Sequence, residues 1–217
     1  MKENSSYNNS KKLETIDSKY KHNKSDNIYF FFKRIFDIVV SIIGIIVLSP
    51  VILIVSILIK VQSNGPIIFK QLRAGKNSAP FYIYKFRSMR IDAPNVATSE
   101  FNNPDLYITS IGKFIRKTSI DEIPQLFNIL KGDMSIVGPR PVILDEEDLI
   151  NLRKKHNIDT ILPGITGWAQ INGRDNIGNE EKVKYDYEYL DKKSLFIDIY
   201  IIFKTALKVV KGSDIKS

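Results

Sequence analysis

The 217-residue chain contains no cysteine, which excludes a disulfide scaffold and thiolate catalysis. That absence assigns no compartment, because cysteine-free chains occur on both sides of a membrane. His22 and His156 are the only histidines, too few for a histidine-rich metal centre. A bound metal would have to use oxygen ligands, which suits Mg²⁺ or Mn²⁺. There is no internal repeat, and residues 1–27 do not read as a secretory signal: the apolar run starts too late and lacks a small-residue cleavage site. The net charge of +8 calls for an anionic partner such as phosphate, lipid headgroups or nucleic acid. No basic-aromatic nucleic-acid motif accompanies that charge, so nucleic acid is not expected among the partners.

What is present divides the chain into three parts. Residues 1–28 are polar, rich in Lys, Asn and Ser, and read as a disordered basic tail. Residues 29–60 form a membrane segment, and residues 61–217 are long enough to bury the core of one domain. Residues 38–59 make an uncharged run of 22, near the ~20 that cross a bilayer as a helix. Ser49-Pro50 falls in its middle, where proline removes a backbone hydrogen bond and kinks a helix. Lys33 and Arg34 precede the run, and Lys60, Lys70, Arg73 and Lys76 follow it. Basic residues on both flanks favour keeping both ends on the cytoplasmic side. The reading is therefore a re-entrant helix broken at Ser49-Pro50, with a spanning helix and a buried soluble helix as the alternatives.

Beyond Gly65 the pattern predicts an α+β domain, mostly helical with short strands. Residues 66–69 and 80–84 are β-branched and aromatic between turn residues, and read as strands. Residues 111–117, 123–130 and 146–156 read as helices. Residues 90–106 form a loop, and Pro163-Gly-Ile-Thr-Gly167 and Asn172-Gly173 are turns. Residues 195–210 form an apolar helix with Lys204, Lys208 and Lys211 on one face. It is either an interfacial helix on an anionic leaflet or an ordinary amphipathic helix docked on the domain.

The most informative stretch is residues 118–141, TSIDEIPQLFNILKGDMSIVGPRP. Asp121 and Glu122 stand side by side at a helix start, between Arg116 and Arg140. That arrangement suits phosphate and a metal. Ser119-x-x-Glu122 also fits a capping box, a purely structural role. A helix starting nearer Ile123, with Pro124 in its first turn, is easier on the backbone. Either way the carboxylates sit at a positive helix end that also accepts phosphate. Asp186, in Tyr185-Asp186-Tyr187, reads as a helper of a metal site or part of a solvated helix face.

The motifs around this stretch are several and ordered. Lys33-Arg34-x-x-Asp37 opens the membrane segment and Ser49-Pro50 marks its middle. Tyr84-Lys85-Phe86-Arg87-Ser88-Met89 follows, then Ile115-Arg116 and Asp121-Glu122-Ile-Pro124-Gln125-Leu126. Gly132-Asp133-Met134-Ser135 leads into Gly138-Pro139-Arg140-Pro141. Pro163-Gly-Ile-Thr-Gly-Trp-Ala-Gln170 and Asn172-Gly173-Arg174 complete the set. Over about four-fifths of its length the chain resembles the bacterial sugar transferases, the monotopic polyprenyl-phosphate phosphoglycosyl transferases, in their minimal form.

The resemblance implies an enzyme on the cytoplasmic face of a bacterial inner membrane. It would move a phospho-sugar from a UDP-sugar to polyprenyl (undecaprenyl) phosphate and release UMP. Asp121 would be the nucleophile, forming a covalent phospho-sugar aspartate, and Glu122 would help hold Mg²⁺. Lys85, Arg116 and Arg140 would bind phosphate. Gln170, Asn172 and Arg174 would contact the nucleotide or sugar, although turn chemistry explains them equally well. The product would enter capsule, exopolysaccharide, O-antigen or glycoprotein assembly through downstream glycosyltransferases, and anionic lipid would be a partner. The competing reading is a non-enzymatic membrane-surface adaptor.

Overall fold

In the computed structural model the described residues are 24–93, 106–173 and 177–211. The chain begins with one long helix, α1 (Lys24–Gln62), followed by a hairpin of β1 (Ile68–Ala74) and β2 (Pro80–Phe86). Helices α2 (Ser110–Lys117) and α3 (Gln125–Lys131) come next, with a single 3₁₀ turn, Ile120–Glu122, between them. Strand β3 (Ser135–Val137) pairs in parallel with β4 (Gly164–Thr166) across helix α4 (Glu147–Lys155). Helices α5 (Trp168–Asn172), α6 (Asn179–Lys192) and α7 (Leu195–Lys211) close the domain.

Helix α1 starts at Lys24, earlier than the expected boundary near residue 29, because tertiary contacts extend it. Asp26 lies 3.0 Å from Lys193, and Tyr29 donates to Asp198 at 3.0 Å. By length and composition α1 could cross a membrane. Its helical path continues through Ser49 and Pro50, so the expected break is not a gap in the helix. The local chemistry explains the continuity. Proline at position 50 has no N–H for the carbonyl of Ile46, and Ser49 Oγ donates to that same carbonyl at 2.8 Å.

The helix does not leave the domain at either end. Near its start, Lys33 reaches buried Asp198 at 2.8 Å, and Asp37 accepts from Ser135 Oγ at 2.7 Å and from the Ile136 amide. Arg34 donates to the carbonyls of Ile129 and Leu130, at the C-terminal end of α3. Near its close, Val55 and Ile59 are buried against Phe86 and Ile115. The opposite side of α1, including Phe31, Ile35, Ile42, Ile46, Leu53 and Ile57, stays exposed. Helix α7 behaves similarly. Asp198 and Ile201 are buried, while Phe196, Ile199, Phe203 and Leu207 face outward. It is docked on the domain and also presents an apolar outer face, as an interfacial helix does.

The main core gathers Ile83, Ile129, Met134, Val137, Leu149, Leu190 and Ile201. Two devices in it position the site. Asn128, fully buried on α3, accepts from the Tyr84 amide at 2.9 Å and donates to the Tyr82 carbonyl at 2.7 Å. It thereby stands in for a neighbouring strand and fixes the end of β2 beside the 3₁₀ turn. Gly138 has no room for a Cβ, which would run into the Leu162 carbonyl. The close approach lets Gly138 donate to Thr166 and Pro139 accept from Gly164, both at 2.9 Å, pinning the turn that carries Arg140.

Candidate active site

Strand β2 delivers Lys85, α2 delivers Arg116, the 3₁₀ turn delivers Asp121 and Glu122, and the pinned turn after β3 delivers Arg140. The capping box does not form: Ser119 is left-handed (φ 57°) and its side chain makes no cap bond. Its unusual backbone instead tips the 3₁₀ turn so that Glu122 faces the cations. Lys85 Nζ lies 2.7 Å from Glu122 Oε1 and 3.9 Å from Asp121 Oδ2. Arg140 Nη2 donates to the same Glu122 Oε1 at 3.1 Å.

The two acids respond in opposite directions. Burial raises the Asp121 carboxyl and the adjacent Glu122 charge adds to it. Lys85, Arg116 and Arg140 oppose that rise, and the balance leaves Asp121 at about 6. For Glu122 burial also acts upward, but the charges and hydrogen bonds of Lys85 and Arg140 outweigh it and bring the group down to about 2. Adjacent carboxylates driven apart in this way are suited to different tasks. Glu122 is a fixed anion, and Asp121 is a weakly stabilised carboxylate with nucleophilic character.

Asp121 opens into a cleft of about 670 Å³ lined also by Lys85, Arg87, Arg116, Arg140, Arg153, Gln170 and Lys182. Its cations outnumber its acids, and the space suits a polyanionic ligand of nucleotide size. Among the described residues no group of three or more His, Cys, Asp or Glu gathers to hold a metal. A magnesium ion needs only one or two carboxylates when substrate phosphates complete its shell. Glu122 fits that demand: both cations bind its Oε1, and its Oε2 accepts no hydrogen bond from the described residues.

Of the other residues expected at the site, Gln170 lines the cleft. Asn172 does not line it and donates instead to the Trp168 carbonyl at 2.8 Å, a helix-end contact. Arg174 lies outside the described residues. Trp168 packs against the core and donates to Glu188. Asp186 is not on a solvated face. It is buried and accepts from Arg153 Nη2 at 2.6 Å and Nε at 3.0 Å. Arg153, which the sequence reading missed, also donates to the Arg140 carbonyl at 2.8 Å, so the buried pair braces the turn holding Arg140. Asp198, also missed, anchors α1 through Lys33. Each of these acids is far in sequence from its partner, so spacing carries no sign of the pairing.

Comparison with known proteins agrees with this geometry. Residues 28–212 match the family described as bacterial sugar transferase. The chain is 41% identical over 192 residues to the UDP-N-acetylgalactosamine-undecaprenyl-phosphate N-acetylgalactosaminephosphotransferase of Aeromonas hydrophila, covering 85% of this chain and 45% of that protein. It is 40% identical over 190 residues to the UDP-glucose:undecaprenyl-phosphate glucose-1-phosphate transferase of Klebsiella pneumoniae, covering 84% and 41%. It is 41% identical over 187 residues to the uncharacterized sugar transferase EpsL of Bacillus subtilis (strain 168), covering 85% and 90%. The chain thus spans less than half of the first two relatives and most of the third. With a match across nearly all of its described residues, it belongs to the bacterial sugar transferase family.

Proposed function

We propose that the chain transfers a phospho-sugar from a UDP-sugar to a polyprenyl phosphate, undecaprenyl phosphate in bacteria, and releases UMP. The observation that carries this reading is buried Asp121 at the wall of a cationic cleft, beside Glu122, with the two carboxyls driven in opposite directions. In the first step an Asp121 carboxylate oxygen attacks the phosphorus bonded to the sugar. The bridging P–O bond to UMP breaks and UMP leaves with the electron pair. The phospho-sugar then stands on Asp121 as an acyl phosphate, which the acceptor phosphate attacks to form the lipid-linked diphosphate sugar.

The side chains supply position and charge, which is most of what phosphoryl transfer requires. Arg140, braced by Arg153 and by the β3–β4 pairing, is set to hold diphosphate oxygens. Arg116 adds charge from α2, and Lys85 keeps Glu122 ionised. Mg²⁺, held by Glu122 with substrate phosphate, would neutralise charge on the diphosphate. Asn172, which does not line the cleft, is not assigned a contact with substrate.

Re-entrant insertion of α1 from the cytoplasmic face of the inner membrane completes the proposal. Both ends of α1 pack on one domain, while its outer stripe and that of α7 remain apolar. Lys204, exposed on α7, would meet anionic headgroups. The lipid-linked product would serve downstream glycosyltransferases of capsule, exopolysaccharide, O-antigen or glycoprotein assembly.

The test is UMP release from a panel of UDP-sugars with undecaprenyl phosphate and Mg²⁺. One sugar nucleotide should support turnover. Activity should fall as pH drops through about 6, where Asp121 takes up its proton. No UMP from any sugar nucleotide, with salt-sensitive binding to anionic vesicles, would instead describe a membrane adaptor.

A further inference from the structure

We infer that the phosphate end of the acceptor lipid docks in a second cavity, of about 280 Å³, that shares Arg140 and Gln170 with the nucleotide cleft. The inference rests on the function proposed above. The cavity's walls are apolar side chains brought together from separate elements: Leu48 of α1, Leu126 of α3, Ile171 of α5 and Val209 of α7. Its cations are Arg140 and Lys208, and its acid is Glu122, which Lys85 offsets from outside the cavity at 2.7 Å while Arg140 also lies 3.1 Å from it. Apolar walls with two cations fit an amphiphile that ends in a phosphate. They do not fit a second sugar nucleotide, which is polar throughout.

Two further features point to the same occupant. Leu48 stands two residues before Pro50, and the neighbouring Ile46 and Val47 are exposed, as is Val209 at the α7 wall. A prenyl chain dissolved in the bilayer could therefore enter without crossing water. At the shared wall, Gln170 Nε2 and Oε1 are buried and hydrogen-bond to none of the described residues. Leaving such an amide without partners is unfavourable, and a small turn of the side chain toward the cavity would let a phosphoryl oxygen satisfy its donor.

The division assigns each half-reaction a side. Asp121 lines the cleft, where it takes the phospho-sugar from the nucleotide, and Glu122 lines the second cavity. An oxygen of the acceptor phosphate, arriving along the apolar walls, forms a new bond to the phosphorus held on Asp121. The bond from that phosphorus to the Asp121 oxygen breaks, and its electron pair restores the carboxylate. A dianionic acceptor phosphate has no proton to lose in this step. Arg140, reaching both spaces, holds the transferred group throughout.

The experiment measures KM for undecaprenyl phosphate and for the UDP-sugar on the detergent-solubilised full chain. Val209→Trp should fill the cavity, and Lys208→Gln should remove a charge from it. Each should raise KM for the acceptor about tenfold, a loss of ~1.4 kcal/mol, with KM for the UDP-sugar within about twofold of the parent. Phe203→Trp, an apolar enlargement on the outer face of α7, should leave both constants unchanged. Equal rises in both constants, or an unchanged acceptor KM in Lys208→Gln, would overturn the assignment. Exchange of labelled UMP into UDP-sugar without acceptor keeps the two claims separate. Its absence in the parent would refute the covalent route, while the KM comparison would still decide the cavity.

Discussion

Replacing Asp121 with asparagine should abolish turnover and at the same time stabilise the fold. The Asp121 carboxyl titrates at about 6 in the folded protein against an ordinary 3.8, mainly because it is buried. A gap of about two pH units, at about 1.4 kcal/mol each, puts the cost of the ionised carboxylate near 3 kcal/mol. The folded state binds the proton more tightly than the unfolded state, so this cost is absent below about pH 4. It grows as pH rises through the two values and is complete above about 6. Asparagine has the same shape without the charge, so the variant should gain up to about 3 kcal/mol at pH 8. For a chain of this size that corresponds to roughly 6–12 °C in Tm. Thermal unfolding in detergent, followed by intrinsic fluorescence at pH 4, 6 and 8, reads the effect. The reasoning fails if the variant is no more stable than the parent at pH 8, or if the difference is the same at pH 4.

Two other outcomes follow from the packing. Asp186→Ala leaves the Arg153 guanidinium buried without its carboxylate, and should cost roughly 3–5 kcal/mol in urea unfolding. It should also lower kcat at temperatures where the variant remains folded, because Arg153 braces the Arg140 turn; a loss under 1 kcal/mol would show the pair to be dispensable. Single cysteines placed before Phe32 and after Lys60, in a chain with no native cysteine, should both react with a membrane-impermeant reagent added to the cytoplasmic side. Labelling from opposite faces would replace the re-entrant helix with a spanning one.

Much of the helical frame could be read from the sequence because it follows apolar periodicity. Helices α2, α3, α4 and α7 lie within two residues of where that periodicity predicts them. Strands β1 and β2 were recognisable as short strands but not as a pair, and β1 runs on past the expected end, since Lys70, Gln71 and Arg73 interrupt the apolar run while continuing the ladder. Strands β3 and β4, three residues each, are too short to show any period; β4 was read as part of a turn and β3 was not read as an element. In the site, Lys85, Arg116, Asp121, Glu122 and Arg140 converge as the motif order implied. The capping box misled because Ser119 adopts a left-handed backbone that propensity does not reveal. Asp186 and Asp198 were beyond the sequence for another reason. An acid inside a helix reads as solvated until the cation that neutralises it arrives from another part of the chain.

Asp121 is proposed to carry the phospho-sugar between donor and acceptor. The most direct test is to incubate the protein with Mg²⁺ and the UDP-sugar that supports turnover, omit the acceptor, quench, and map the peptides by mass spectrometry. The expected result is an added phospho-sugar on the peptide containing Asp121, formed with a stoichiometric burst of UMP and discharged when undecaprenyl phosphate is added. An unmodified Asp121 peptide, with UMP appearing only once acceptor is present, would mean direct transfer between the substrates and would rule out Asp121 as the carrier.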